Sequence, residues 1–188
     1  MAAHAVFDLL RHGQTGFEGF RGRLDDSLSP EGWEQLRKAT AHQNSWQSVV
    51  SSPLARCADF AAEVSRGLGA SLTIDDRLSE LDFGDWEGQD PKRLMQTDPD
   101  GLRRFWQDPW SFTPPRAEPL RAFEQRVCEA WKALSDRLAG QRVLVITHGG
   151  VIRLLLILAH GKPRSELLQL EVPHASLHRI GAYGCVTT

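Results

Sequence analysis

An arginine, a histidine and a glycine stand side by side at Arg11-His12-Gly13, directly after an apolar run that reads as a buried strand, Ala5 to Leu10. In open α/β sheets ligands bind outside the carboxyl ends of the strands, so a side chain just past such a strand is well placed for chemistry. A neutral imidazole nitrogen can attack phosphorus without a separate base. Arg11 offers a planar fork of N–H donors that matches two phosphate oxygens. Gly13 and Gly16 keep the loop bare, so backbone N–H groups can approach an anion. Alone, the triplet reads as an ordinary loop histidine; three further segments change the weighing.

The first is Ser51-Ser52-Pro53-Leu54-Ala55-Arg56, again at the end of a short strand, with Arg56 in the first turn of the next helix. A helix N-terminus favours anions, so a cation there has the wrong sign unless it shares an anion with the helix. The second, Thr147-His148-Gly149-Gly150, repeats the layout of strand, histidine and glycines. Two histidines at one sheet edge suit a nucleophile and a stabiliser of a transferring phosphoryl group. The third, Leu78 to Gly88, carries Glu80, Asp82, Asp85 and Glu87. One carboxyl could protonate a leaving oxygen and then assist water, and the residue types do not choose among the four. Two histidines with Glu80 could also form a facial metal triad, a reading disfavoured by the arginines at the same edge.

The elements that must position these groups alternate. A Ser29 cap followed by Pro30 and Glu31 predicts a helix with Trp33, Leu36 and Thr40 inward, ending before Asn44. Leu54, Cys57, Ala61, Val64 and Leu68 give a second amphipathic helix. Ser71 to Ile74 reads as a strand, Phe17 to Leu28 as a loop, and Pro91 to Gln107 as weakly helical. A long helix from about Pro119 has Leu120, Phe123, Val127, Ala130, Leu134 and Leu138 inward. Arg142 to Thr147 is a strand buried on both faces, followed by a wholly apolar helix, Val151 to Ala159; Leu167 to Ile180 alternates like one or two strands. The fold class expected is α/β, a three-layer α/β/α sandwich with a mainly parallel sheet. Residues 1–188 are expected to form one domain, with a small cap insertion over about 88–117.

The 188 residues carry 41% hydrophobic and 24% charged side chains and a formal net charge of −2, which leaves no basic field for nucleic acid or anionic lipid. Neither partner is expected. Cys57, Cys128 and Cys185 leave one thiol over in any disulfide scheme and have no zinc spacing. No signal peptide or membrane-length apolar run is read, so a reducing cytoplasm is the expected setting.

Taken together, Arg-His-Gly-x-Thr, Ser-Ser-Pro-Leu-x-Arg, Leu-x-Glu-x-x-Phe-Gly-x-Trp-Glu-Gly and Thr-His-Gly-Gly, in this order, resemble the histidine phosphatase superfamily, the phosphoglycerate mutase-like fold. The resemblance covers nearly the whole chain. It implies a phosphorylated nucleophile at His12, a phosphate pocket of Arg11, Arg56 and His148, and Glu80 as the proton donor, with no metal and no cofactor. It also implies contacts to a small-molecule phosphate ester from Thr15, Gly16 and Gly149. Within the superfamily, the stretches Phe20 to Leu28, Phe105 to Pro115 and His174 to Ile180 are similar to bacterial α-ribazole phosphatases of cobalamin synthesis. Phe105, Trp106, Trp110 and Phe112 among prolines read as a cap. Its aromatics either only pack it onto the domain or, through Trp106 or Trp110, line an apolar slot for the flat base such a substrate carries, with Arg21 or Arg23 at its rim. Gln14 stands where many members carry Glu, and Ala117-Glu118-Pro119 replaces Gly-Glu-Ser. A phosphoglycerate-type mutase is the alternative enzyme, and a non-catalytic binding module of the same fold the alternative outside catalysis. A dimer is compatible with the sequence, which does not fix the oligomeric state.

Overall fold

The computed structural model describes residues 4–43 and 45–182; Cys185 lies outside them. Five strands form one sheet: β1 (Val6–Arg11), β2 (Ser48–Ser51), β3 (Ser71–Ile74), β4 (Arg142–Thr147) and β5 (Leu177–Gly181), in the order β3-β2-β4-β1-β5. The first four are parallel, and β5 runs antiparallel along β1. Six helices accompany it: α1 (Pro30–Thr40), α2 (Ala55–Leu68), α3 (Pro91–Thr97), α4 (Pro99–Gln107), α5 (Leu120–Arg137) and α6 (Gly149–Ala159).

The strand pleat sorts the core into two layers. Phe7 and Leu9 of β1, Val50 of β2, and Val143 and Val145 of β4 pack with α5 and α6. Their alternates Leu10, Val49, Leu144 and Ile146 pack with Leu36 of α1 and with Cys57, Phe60 and Ala61 of α2. Successive side chains point to opposite faces, so near-continuous apolar strands require a helical layer on each side. This is the three-layer α/β arrangement.

The helix signals act as read. Ser29 accepts a 3.0 Å hydrogen bond from the Gly32 N–H, and Pro30 occupies the first turn, a cap worth about 1 kcal/mol. Gly13 and Gly32 pack backbone to backbone, and a Cβ on either would strike the other's loop. α1 is thereby seated directly against the loop that carries His12.

Three expectations are corrected. Leu167 to Ser176 is not strand: a short 3-10 turn and bends place Leu167 and Val172 in the core, and the hydrophobic alternation there reflects irregular chain crossing the end of the sheet. Pro91 to Gln107 is two helices, because Pro99 cannot continue α3 and Asp98 caps the N-terminus of α4 through Gly101. The helix after β4 is not wholly apolar: Arg153 is its one charged residue.

Candidate active site

Strand order places the chemistry. β4 lies between β1 and β2, and its register pairs Arg11 with Thr147. The residues after each, His12 and His148, therefore emerge side by side, with ring centroids 5.2 Å apart. On the other flank Ser51 pairs with Ile146, so Ser52 follows and its hydroxyl lies 2.7 Å from His148 Nε2. Arg56 is one residue into α2. Adjacent parallel strands thus bring together three segments that are far apart in sequence.

His12 is buried, and its Nδ1 lies 2.8 Å from the Gly13 carbonyl. A carbonyl oxygen can only accept, so Nδ1 carries the proton and Nε2 of the neutral ring keeps its lone pair. Burial, followed by the charges of Arg56 and Arg11, holds the His12 pKa well below 6.5 against the raising effect of the Gly13 hydrogen bond. Burial, then Arg56 and His12, does the same to His148. Both rings are neutral at neutral pH.

The arginines are held by carbonyls. Arg56 is fully buried and donates to the carbonyls of Leu24 (2.6 Å) and Gly22 (2.7 Å) and to Asp26 (3.1 Å). Arg11 donates to the Val172 carbonyl at 2.5 Å and lies 3.0 Å from His174 Nε2. The Nε donors of both arginines are buried without a partner. Buried donors are nearly always satisfied, and these two border the same cavity as His12 and Glu80.

Of the four candidate carboxylates only Glu80 lines that cavity. Its carboxylate accepts from the Gly150 N–H at the start of α6 (3.0 Å) and from the Leu81 N–H (2.9 Å). A Cβ at Gly150 would run into the Glu80 carboxylate, which explains the second glycine of Thr-His-Gly-Gly. Asp82 caps the Gly84 N–H, Asp85 pairs with Arg116, and Glu87 accepts from the Arg23 and Phe83 N–H groups. These three hold the loop's shape. Among the described residues no three His, Cys, Asp or Glu side chains are grouped as metal ligands.

The cavity has a volume of about 610 Å³. Thr15, Arg21 and Trp106 line it, together with Phe20, Phe83 and Phe105. Arg21 is paired with Asp26 at 3.0 Å and stacked 4.6 Å over Phe17. Gly149 lies behind the wall, where a Cβ would sit 3.4 Å from both Arg11 Nε and Arg153 Nη1. Three expected contacts fall elsewhere. Gly16 is exposed and does not line the cavity, although Thr15 before it and Phe17 after it do. Arg23 is exposed on the far side of its loop, where its backbone N–H binds Glu87. Trp110 turns away, donating to the Arg164 carbonyl at 3.1 Å beneath the Arg164 guanidinium.

The sequence does not single out Arg153, and His174, for which it leaves packing and a rim contact both open, lines the cavity. Arg153 donates to the Leu170 carbonyl at 2.8 Å and has no carboxylate partner among the described residues; its signal is the lone charge in an apolar helix. His174 sits at the mouth, its ring 5.5 Å from that of His12. Desolvation, then the Arg11 charge, pushes its pKa down to about 4. The next residue, Ala175, has φ 55° and donates its N–H to the His12 carbonyl.

A family model, the histidine phosphatase superfamily (branch 1), matches residues 7–187. The chain belongs to the histidine phosphatase superfamily. It is similar to Bacillus stearothermophilus YhfR, with a TM-score of 0.86 and 28% identity over 93% of this chain and 90% of that one. It is 31% identical to the adenosylcobalamin/alpha-ribazole phosphatase of Escherichia coli, over 87% of this chain and 83% of that protein. It is 37% identical to the bifunctional protein Rv2228c of Mycobacterium tuberculosis, over 90% of this chain but only 48% of that protein. The chain therefore spans about half the length of the mycobacterial relatives it matches.

Proposed function

We propose that this histidine phosphatase superfamily member hydrolyses small phosphate monoesters through a phosphohistidine at His12, without a metal. The observation that carries the reading is the pair of buried, unpartnered Nε donors on Arg11 and Arg56 beside a neutral His12. An oxyanion bound there would satisfy both donors and set phosphorus before the Nε2 lone pair. The His12 Nε2 lone pair forms the N–P bond while the ester P–O bond breaks. Protonated Glu80 gives its proton to the departing alcohol oxygen. Water then attacks phosphorus, Glu80 takes up its proton, the N–P bond breaks and orthophosphate leaves. Arg11, Arg56 and His148 stabilise the charge on the transferring group.

The substrate reading is α-ribazole 5′-phosphate. It is supported by the likeness to the E. coli enzyme and by the aromatic wall of Phe20, Phe83, Phe105 and Trp106, which suits a flat base. The experiment is hydrolysis of p-nitrophenyl phosphate and α-ribazole 5′-phosphate with excess EDTA, with acid-labile label sought on His12. Full turnover and a phosphohistidine are expected. Loss of activity that a divalent ion restores, or label on another residue, overturns the mechanism. A better kcat/KM for glycerate or sugar phosphates overturns the substrate reading alone.

A further inference from the structure

Glu80 sits on an irregular segment, following a 3-10 turn over Asp76–Leu78, with no strand or helix of its own to fix it. Irregular backbone of this kind is normally the least well-held part of a site. Here, however, four consecutive carbonyls are each tied down by a side chain. Arg126 Nη1 donates to the carbonyls of Arg77 (2.7 Å) and Ser79 (2.8 Å), and Nη2 donates to that of Glu80 itself (2.9 Å). The fourth, the Leu78 carbonyl, accepts from the Thr147 hydroxyl at 2.7 Å.

Arg126 belongs to α5, one of the longest and best-packed elements, and its stem is aligned by neighbours on both sides. Its Nε and Nη2 bind the two oxygens of Glu118 at 2.6 and 2.8 Å, and its guanidinium stacks 4.7 Å over Phe123. Glu118 continues the brace past the acid, since its N–H donates to the Asp82 carbonyl (3.0 Å) and its carboxylate accepts from the Asp82 N–H (3.4 Å). The pair is largely enclosed, with 16% and 14% of the two side chains exposed. A rigid guanidinium fork bound to three carbonyls and a carboxylate is preorganised in a way an ammonium group is not.

We infer that Arg126 is the positioning residue of the acid: with Glu118 as its counter-charge, it fixes the backbone that aims the Glu80 carboxyl at the leaving oxygen. The inference rests on Glu80 being the proton donor. Arg126 does not line the cavity, and its hydrogen bonds go to the acid's segment and to Glu118, not to Arg11 or Arg56, although its charge is among the lesser ones that hold the His148 pKa down. Its loss therefore misplaces the acid while the contacts that hold Arg11 and Arg56 remain, and general acid catalysis falls off steeply when the donor is displaced.

The test compares Arg126→Met, Arg126→Lys, Glu118→Gln and Glu80→Gln on p-nitrophenyl phosphate, whose leaving group needs little protonation, and on an alkyl phosphate, which needs much. For Arg126→Met we expect kcat on the alkyl ester to fall about 10–100-fold, part of the 10²–10⁴ ascribed to a general acid. On p-nitrophenyl phosphate the fall should stay within about threefold, with KM for both unchanged. Arg126→Lys and Glu118→Gln should show the same skew at smaller size, and they carry the test if Arg126→Met does not fold. Equal losses on both esters, or no loss, overturn the inference while Glu80→Gln retains its skew. If Glu80→Gln itself shows no skew, the assignment of the acid falls instead.

Discussion

Two arginine clusters flank the same strand, β1, and they are built in opposite ways. Beneath the site, Asp8 is a buried carboxylate surrounded by donors: Trp46 Nε1 (2.7 Å), Arg142 Nε (3.0 Å) and Arg179 Nε (2.7 Å). Three residues further on, Arg11, Arg56 and Arg153 border a cavity with few acids among them. Arg56 shares Asp26 with Arg21, and Arg11 and Arg153 have no carboxylate ion pair among the described residues. In the first cluster both guanidiniums share one buried carboxylate, whose oxygens are filled by donors. The second is complete, on the proposed function, only when an anion arrives. Arginines flanking one strand would thus serve stability in one place and, on the proposed function, binding in the other, and the difference lies in what is left unpaired.

The largest consequence is for Arg11. Arg11→Met removes a buried, unpartnered donor that the proposed function assigns to the phosphoryl group, and kcat/KM is expected to fall about 10²–10³-fold. Thermal stability should fall little with it, because the buried guanidinium has no carboxylate ion pair among the described residues and carries a desolvation cost. Inorganic phosphate should raise the Tm of the wild type, by the equivalent of about 2.7 kcal/mol at a hundredfold excess over Kd, and should lose that effect in the variant. A variant that loses stability and activity together would make Arg11 structural and erase the distinction between the clusters.

Asp8→Asn should do the reverse. It leaves Arg142 and Arg179 without their shared carboxylate, and a buried pair broken on one side costs about 3–5 kcal/mol. Arg179 is more than half exposed and recovers solvent, so about 2–3 kcal/mol is expected from urea unfolding, with kcat unchanged. Burial alone would raise the Asp8 pKa, but hydrogen bonds from Arg179, Trp46 and Arg142 together hold it below its usual 3.8. A depressed folded pKa contributes stability above the unfolded value and loses it as pH falls further. The wild type should therefore lose this increment below about pH 4, and Asp8→Asn should lack that part of the acid limb.

The histidines give a pH signature on the site side. Their lowered pKa values mean that the unfolded chain binds protons near pH 6.5 while folded His12 and His148 do not. Stability should thus decline as pH falls below about 6.5, by on the order of 1 kcal/mol per pH unit for each ring. At the same time kcat/KM should pass through 6.5 without an acid limb, because His12 stays neutral and nucleophilic. A limb near 6.5 in the pH–rate profile would show His12 to be as accessible to protons as an exposed histidine.

Much of this was legible in the sequence because it is local. Apolar strands followed by Arg-His-Gly, Ser-Ser-Pro and Thr-His-Gly-Gly marked the sheet edge, and Ser29-Pro30 marked α1; each depends on neighbours within a few residues. Asp8 was visible only as a misfit, since its partners Trp46, Arg142 and Arg179 come from three distant segments. Arg153 was hidden by the apolar helix around it, and the Leu167 to Ser176 alternation imitated a strand although only Leu167 and Val172 of that irregular stretch are buried. The choice of Glu80 over Asp82, Asp85 and Glu87 came from family likeness. Its physical basis, the Gly150 N–H and the carbonyl brace of Arg126, is tertiary.

The smallest predicted effect separates the two tryptophans that sequence could not tell apart. Trp106 is 53% exposed at the edge of the cavity, against Phe105, with ring centroids 6.0 Å apart. Trp110 is sandwiched under Arg164, which in turn binds the buried Glu124 at 2.7 Å. Trp110 thus belongs with the Asp8 cluster, a cation whose charge is already answered, and Trp106 with the open one. Trp106→Ala should raise KM for an aromatic ester such as α-ribazole 5′-phosphate about three- to tenfold, the worth of one stacking contact of about 1 kcal/mol, and should barely change its kcat. Trp110→Ala should leave both constants alone and lower the Tm, because it removes a half-buried ring and its hydrogen bond. Equal KM effects from the two variants would mean that the segment moves as a unit over the substrate and that the side chain facing the cavity carries no selectivity of its own.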